Sequence, residues 1–210
     1  MIRILIADDH TVARRGLIQV VSEEPGMQVV GEAKNGQELF ALLRRQPCDL
    51  VVLDISMPGK SGLDVLSELK HEYRNLPVLV LSMHAEEQYA VRALKSGAAG
   101  YLTKDSAAEE LLKAIKKVIG GGRYMSLELA ERLALEVAGG VARPPHEALS
   151  HQEFRVLCLL ASGKSITDIA TELSLSVKTV STYRARILEK MSMESNVELI
   201  RYAIQNRLVE

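Results

Sequence analysis

Hydrophobic positions in the first 120 residues follow two periods. Short runs of Ile, Leu and Val at 3–7, 28–32, 49–53, 77–81 and 100–102 are bounded by turn residues and read as buried strands. Between them, apolar residues recurring every three or four positions predict helices over roughly 12–23, 36–46, 62–72, 86–95 and 107–119. Asn35 three before Glu38, and Ser106 three before Glu109, are start signals of capping-box type. Strand alternating with helix implies parallel strands joined by right-handed crossovers. The expected fold is a five-stranded, flavodoxin-like α/β sheet with strand order 2-1-3-4-5.

From Leu149 the pattern becomes helical throughout. Ser150 with Glu153, Ser165 with Asp168, and Ser195 with Glu198 open three helices with capping boxes. A short helix at about 166–173, a turn at Leu173–Ser176 and a longer helix at 177–191 have helix-turn-helix proportions. On a helical wheel Val177, Val180, Ile187, Leu188 and Met191 form the core-facing stripe. Lys178, Thr179, Thr182, Ala185, Arg186, Glu189 and Lys190 face away, and Arg184 falls on the apolar stripe with its head free to snorkel. Between the two regions, Gly120–Gly122 ends the first domain. An amphipathic segment at 126–137 carries Leu127, Leu129, Leu133 and Leu135, and 139–145 supplies Gly and Pro as a linker. The expected domains are 1–120, a helix and flexible linker over 121–148, and 149–210.

Composition adds limits. The 210 residues are 47% hydrophobic and 25% charged, as in a soluble globular protein. There is no signal-peptide pattern and no apolar run near the roughly 18 residues of a membrane span, so a cytoplasmic protein with no membrane partner is expected. Cys48 and Cys158 have neither metal nor disulfide spacing and read as small buried hydrophobes. The net charge of −1 hides a cluster in which Lys178, Arg184, Arg186 and Lys190 stand against Glu189 alone. A helix face of small residues flanked by cations can lie in a major groove, with the cations on phosphates.

Chemistry gathers at the strand ends. The first strand runs into Asp8-Asp9, the third into Asp54, the fourth into Ser82 and the fifth into Lys104. Ligands of open parallel sheets bind outside the carboxyl ends of the strands. Asp54 alone reads equally well as a loop cap. Adjacent carboxylates repel unless a cation joins them, and three acids in one crevice are a natural oxygen site for Mg²⁺.

This order of acid pair, single Asp, hydroxyl and Lys resembles the receiver domain of two-component response regulators. Leu149-Ser150 with Glu153, Gly163, Ile169-Ala170 and Lys178-Thr179-Val180 with Leu188 resemble the helix-turn-helix of the LuxR/FixJ class. Together they resemble the NarL/FixJ subfamily of response regulators, and Thr179–Arg186 is similar to its GacA/UvrY-like members. The resemblance implies that Asp54 accepts a phosphoryl group from a sensor histidine kinase. It implies that Asp9, Asp54 and the Ser56 carbonyl hold Mg²⁺, with Asp8 completing the pocket. Ser82, Tyr101 and Lys104 would sense the phosphoryl group, the Tyr101 ring turning inward as Ser82 moves. Ser181, Thr182 and Ala185 would approach bases, with Lys178, Thr179, Arg186 and Lys190 on phosphates. A homodimer on promoter DNA would be the active form, reached by release of the helix-turn-helix domain. Asp105 stands where many receivers carry proline.

Two other readings stay open at this stage. A Mg²⁺-dependent phosphatase or mutase uses an Asp nucleophile on a similar sheet, but such enzymes place a second Asp two residues on, where this chain has Ser56. A regulator whose receiver signals without phosphate is opposed by the complete acid pocket, Ser82 and Lys104.

Overall fold

The computed structural model describes all residues except 58–60, 84–85, 107, 138–143, 207 and 210. The described residues form two compact units, Met1–Leu133 and Ala134–Glu210.

In the first unit, β1 (Ile2–Ala7), β2 (Met27–Ala33), β3 (Leu50–Asp54), β4 (Val78–Ser82) and β5 (Gly100–Thr103) make a parallel sheet in the order β2-β1-β3-β4-β5. Helices α1 (Thr11–Glu23), α2 (Gly36–Arg45), α3 (Gly62–Glu72) and α4 (Glu86–Lys95) supply the crossovers, and α5 (Ala108–Ile119) follows β5. Side chains alternate across each strand. Ile4, Ile6, Leu50, Val52, Leu79, Leu81 and Leu102 therefore share one face, where they form one core with Val21 of α1 and Leu111, Ala114, Ile115 and Val118 of α5. Leu5, Val51, Leu53 and Val80 point to the other face and are equally buried.

Two local features shape the sheet. The β1–β2 register slips between Ile4 and Leu5, and Gln46 Nε2 donates to the Val30 carbonyl at this bulge, 2.8 Å away. At the other edge, Tyr124 makes an isolated parallel bridge with Gly100: Tyr101 N–H donates to the Tyr124 carbonyl and Tyr124 N–H to the Ala99 carbonyl, both at 3.0 Å. The glycines at 120–122 therefore do not end the compact unit. The chain first returns to cover the β5 edge, whose free backbone groups would otherwise be exposed.

Helix α6 (Leu127–Val137) follows, with Leu129 buried and Leu127 exposed. Residue 107, inside the capping box expected at Ser106–Glu109, and residues 139–143 of the expected linker lie outside the described residues, while the Ser106 hydroxyl lies 3.2 Å from that of Thr103. Asn35 accepts the Glu38 N–H as expected, but the Glu38 carboxylate takes the Lys34 N–H. Both cysteines are half-buried rather than buried. Burial, with the Asp49 charge beside it, pushes the Cys48 thiol up to about 11, so it stays protonated and inert.

The second unit contains α7 (His151–Ala161), α8 (Ile166–Glu172), α9 (Val177–Met191) and α10 (Asn196–Gln205). The Ser150–Glu153 and Ser165–Asp168 capping boxes both form. The third is half made, because Glu198 Oε2 accepts the Glu194 N–H instead of that of Ser195. A short 3-10 turn at Pro145–Ala148 precedes α7, in a stretch expected to be linker. Its buried His146 lies 2.8 Å through Nδ1 from the Tyr202 hydroxyl of α10, with the Phe154 ring nearby. That clasp ties the segment to the helical core.

Candidate phosphoacceptor site and DNA-facing helix

The parallel register brings the carboxyl ends of β1, β3, β4 and β5 to one edge. Asp54 closes β3 beside Leu81, and Ser82 closes β4 beside Thr103. Asp8 and Asp54 are each 1% exposed and Ser82 is fully buried. Lys104 follows β5 and is fixed through its backbone, its N–H donating to the Ser82 carbonyl at 2.8 Å. Its Nζ stands 2.7 Å from Asp54 Oδ2 and 2.7 Å from Asp8 Oδ2. Burial alone would lower the Lys104 pKa, but the hydrogen bonds and charges of Asp54 and Asp8 outweigh it and raise it above the usual lysine value. One ammonium thus joins two buried carboxylates that would otherwise repel.

The other Asp54 oxygen, Oδ1, accepts the Ser56 N–H at 2.8 Å. Helix α3 starts hard against this corner. A Cβ on Gly62 would lie 2.3 Å from Ile55 Cα and 2.7 Å from the Asp54 carbonyl, so only glycine permits the approach. Tyr101 is fully buried. Enclosing so large an aromatic surface is favourable by itself.

Two residues absent from the sequence-derived site belong to it. His10 brings Nδ1 within 3.1 Å of Asp9 Oδ1, 3.6 Å of Asp8 Oδ1 and 3.8 Å of Asp54 Oδ2. Arg14, 4% exposed, donates from Nη1 to the Asp8 carbonyl at 2.6 Å and from Nε to Glu32 Oε2 at 2.9 Å. It pins the loop carrying the acid pair to β2. Its signal was in the sequence, since Arg14 shares the i, i+3, i+4, i+7 stripe of Leu17, Ile18 and Val21. A cation on a buried stripe needs acceptors.

Asp8, Asp9, His10 and Asp54 each offer a ligand atom, all within 4.8 Å of one another. Asp9 Oδ1 is buried and has no hydrogen-bond partner among the described residues. An oxygen-rich set with an unsatisfied buried carboxylate oxygen fits a hard divalent cation.

On α9, Val180, Ile187 and Met191 are buried. Val177 is not part of that stripe: it is 49% exposed, because the first turn of α9 projects beyond the core. Lys178, Ser181, Thr182, Ala185, Arg186 and Lys190 are exposed, and Thr179 is half-buried beside its cap, Ser176. The Ser181 and Thr182 hydroxyls donate back to the Val177 and Lys178 carbonyls, both at 2.9 Å. Arg184 is half-buried, its Nε donating to Asn196 Oδ1 at 2.6 Å. Lys190 is not a lone cation, since Nζ reaches Glu153 Oε2 at 2.6 Å.

Residues 4–116 match the response regulator receiver domain, and residues 147–203 match the bacterial regulatory proteins of the luxR family. The chain belongs to the LuxR-type response regulators. The regulator is 36% identical to response regulator GacA of Pseudomonas aeruginosa, over all of this chain and 99% of the relative. It is 32% identical to response regulator UvrY of Escherichia coli K12, over 99% of this chain and 96% of the relative. Among solved structures it is similar to RcsB of Salmonella enterica serovar Typhimurium bound to promoter rprA in the presence of the phosphomimetic BeF3⁻. The two share 26% identity and a TM-score of 0.67, with 96% of this chain and 97% of that one covered. A second similar structure holds two RcsB dimers on two parallel DNAs, with a TM-score of 0.61, 26% identity, and 96% and 97% covered. The response regulator therefore joins a receiver to a DNA-binding helix-turn-helix module. Among its described residues, no helix is long and apolar enough to cross a membrane.

Proposed function

We propose that this regulator receives a phosphoryl group on Asp54 from a sensor histidine kinase and in response binds promoter DNA as a homodimer in the cytoplasm. The observation that carries this reading is the buried Asp54 carboxylate, held between Ser56 N–H and Lys104 Nζ at the end of β3. The working boundaries are a receiver over 1–120, a connecting stretch over 121–148 and a DNA-binding domain over 149–210. A carboxylate oxygen of Asp54 attacks phosphorus as the bond to the donor breaks, leaving an acyl phosphate on the protein. Asp9, Asp54 and the Ser56 carbonyl, with Asp8, would hold Mg²⁺. When bound, it offsets charge building on the transferring phosphoryl group. Lys104 exchanges its bond to Asp54 for one to a phosphoryl oxygen, and Ser82 donates its hydroxyl to another. Tyr101, paired with Val80 two residues before Ser82, carries the change to the β5 face.

The protein is proposed to be a phosphoacceptor without turnover of an external substrate. Ser56, where aspartyl phosphatases carry their second Asp, supports this. On DNA, Lys178, Thr179 and Arg186 hold phosphates, with Lys190 at the end of the row. Ser181, Thr182 and Ala185 meet base edges. Incubation with Mg²⁺ and acetyl phosphate, followed by intact mass, tests the acceptor. The wild type gains one phosphoryl group and Asp54→Asn gains none; equal labelling of both would overturn the assignment.

A further inference from the structure

The sequence-derived ligand set is all oxygen, yet the pocket holds an imidazole. His10 is the N-cap residue of α1 and makes no side-chain cap hydrogen bond. Ser, Thr, Asp and Asn are the residues that serve that position, so capping does not explain the side chain. Its backbone N–H donates to Asp8 Oδ1 at 2.8 Å, which turns the ring over the acid pair.

The His10–Asp9 spacing is that of neighbouring ligands on one ion. Two ligands at about 2.1–2.2 Å from a cation and at right angles stand about 3.0 Å apart, and opposite ligands stand about 4.3 Å apart. His10 Nδ1 lies 3.1 Å from Asp9 Oδ1, and 3.6 and 3.8 Å from Asp8 Oδ1 and Asp54 Oδ2. The nearest oxygen, Asp9 Oδ1, is the buried one that lacks a hydrogen-bond partner among the described residues. A cation bound there would meet nitrogen and oxygen together. The His10 side chain is 58% exposed, so it can close onto an ion without repacking the core.

We propose that His10 ligates the divalent ion of the acid pocket through Nδ1 and biases the site towards nitrogen-accepting ions such as Mn²⁺ over Mg²⁺. The chemistry follows from ligand preference. Carboxylate and water suit Mg²⁺, whereas imidazole adds most for transition ions. The proposal rests on the acid pocket being the metal site of the phosphoacceptor reading. His10 then makes the regulator responsive to which divalent ion is available, because the bound ion sets how readily Asp54 is phosphorylated.

The test uses the full-length protein with MnCl₂ and MgCl₂ as probes. Mn²⁺ binding is followed by the loss of free-ion signal in electron paramagnetic resonance, with Mg²⁺ as competitor. Pulsed measurements on the bound Mn²⁺ then report nitrogen coupling. The wild type should show histidine nitrogen coupling, altered by ¹⁵N-histidine and absent in His10→Ala. His10→Ala should also lose about tenfold in Mn²⁺ affinity, with Mg²⁺ affinity little changed. If Mn²⁺ binds and Asp9→Ala weakens it, but no nitrogen coupling is seen and His10→Ala keeps the wild-type preference, the His10 inference is wrong and the acid-pocket reading stands. If neither ion binds, or Asp9→Ala binds both as well as the wild type, the acid-pocket reading fails and this inference with it.

Discussion

Lys190 Nζ of α9 reaches Glu153 Oε2 of α7 at 2.6 Å, across 37 residues of chain. Glu153 is 2% exposed, and the same carboxylate oxygen accepts the Ser150 N–H that closes the α7 capping box. A cation that looks DNA-directed on a helical wheel is thus also the counter-ion of a buried acid. Lys190→Ala is expected to destabilise the C-terminal unit by about 1–2 kcal/mol, since it leaves the buried Glu153 carboxylate without its counter-ion. Lys178→Ala should leave melting unchanged while weakening binding to all DNA sequences and reducing the salt slope by about 1. Identical melting of the two variants would count against the Glu153 pairing.

The same pair has a pH signature. Burial raises the Glu153 pKa, but the Lys190 and Ser150 contacts outweigh it and hold the carboxyl below its ordinary 4.5. A depressed folded pKa contributes stability above the unfolded value and loses it as pH falls through the folded one. Hydrogen exchange of the α7 and α9 amides should show the wild type better protected than Glu153→Gln above about pH 4.5. The difference should shrink on further acidification, and a difference that grows there would refute the assignment.

Lys104→Met should be costly in a way that metal can reverse. It leaves Asp8 and Asp54 buried together with no ammonium between them, a loss on the order of 3 kcal/mol. A bound dication can replace the missing charge and binds only the folded pocket. Millimolar Mg²⁺ should therefore raise the melting temperature of Lys104→Met more than that of the wild type.

Arg14→Met removes the tie between Asp8 and β2. The Asp8 carbonyl loses a buried donor, costing about 2 kcal/mol, and the loop bearing the acid pair is freed. Phosphorylation by acetyl phosphate should slow even at temperatures where the variant is fully folded, and Arg14→Lys should restore part of the rate. A wild-type rate for Arg14→Met would show that this tie does not position the pocket.

Phosphorylation should raise the dimer fraction in sedimentation and tighten operator binding. One helix-turn-helix covers a single half-site, and two copies on a pseudo-palindrome bind far more tightly. Moving an equilibrium from mostly inactive to mostly active needs a few kcal/mol of differential stabilisation. Several charge-assisted contacts to one phosphoryl group can supply that. Equal operator affinity before and after verified phosphorylation would exclude this control.

Local rules wrote much of this protein openly. Strand ends are set by neighbours in the chain, so Asp8, Asp54, Ser82 and Lys104 could be placed at one sheet edge once strand and helix alternated. Helix α9 was legible over Val177–Met191 because its cap and its apolar period lie within itself. Contacts between elements distant in sequence were not legible. A wheel drawn for α9 knows nothing of α7, so Lys190 read as free until packing brought Glu153 beneath it. Val177 read as core because period alone cannot say where a neighbouring helix stops. Arg14 joined the site only when Glu32 of β2 came alongside it, and Tyr124 reached the β5 edge only after the chain turned back past its glycines. Each of those pairings closes a loop through space, and the partner at its far end is chosen by packing rather than by any neighbour along the chain.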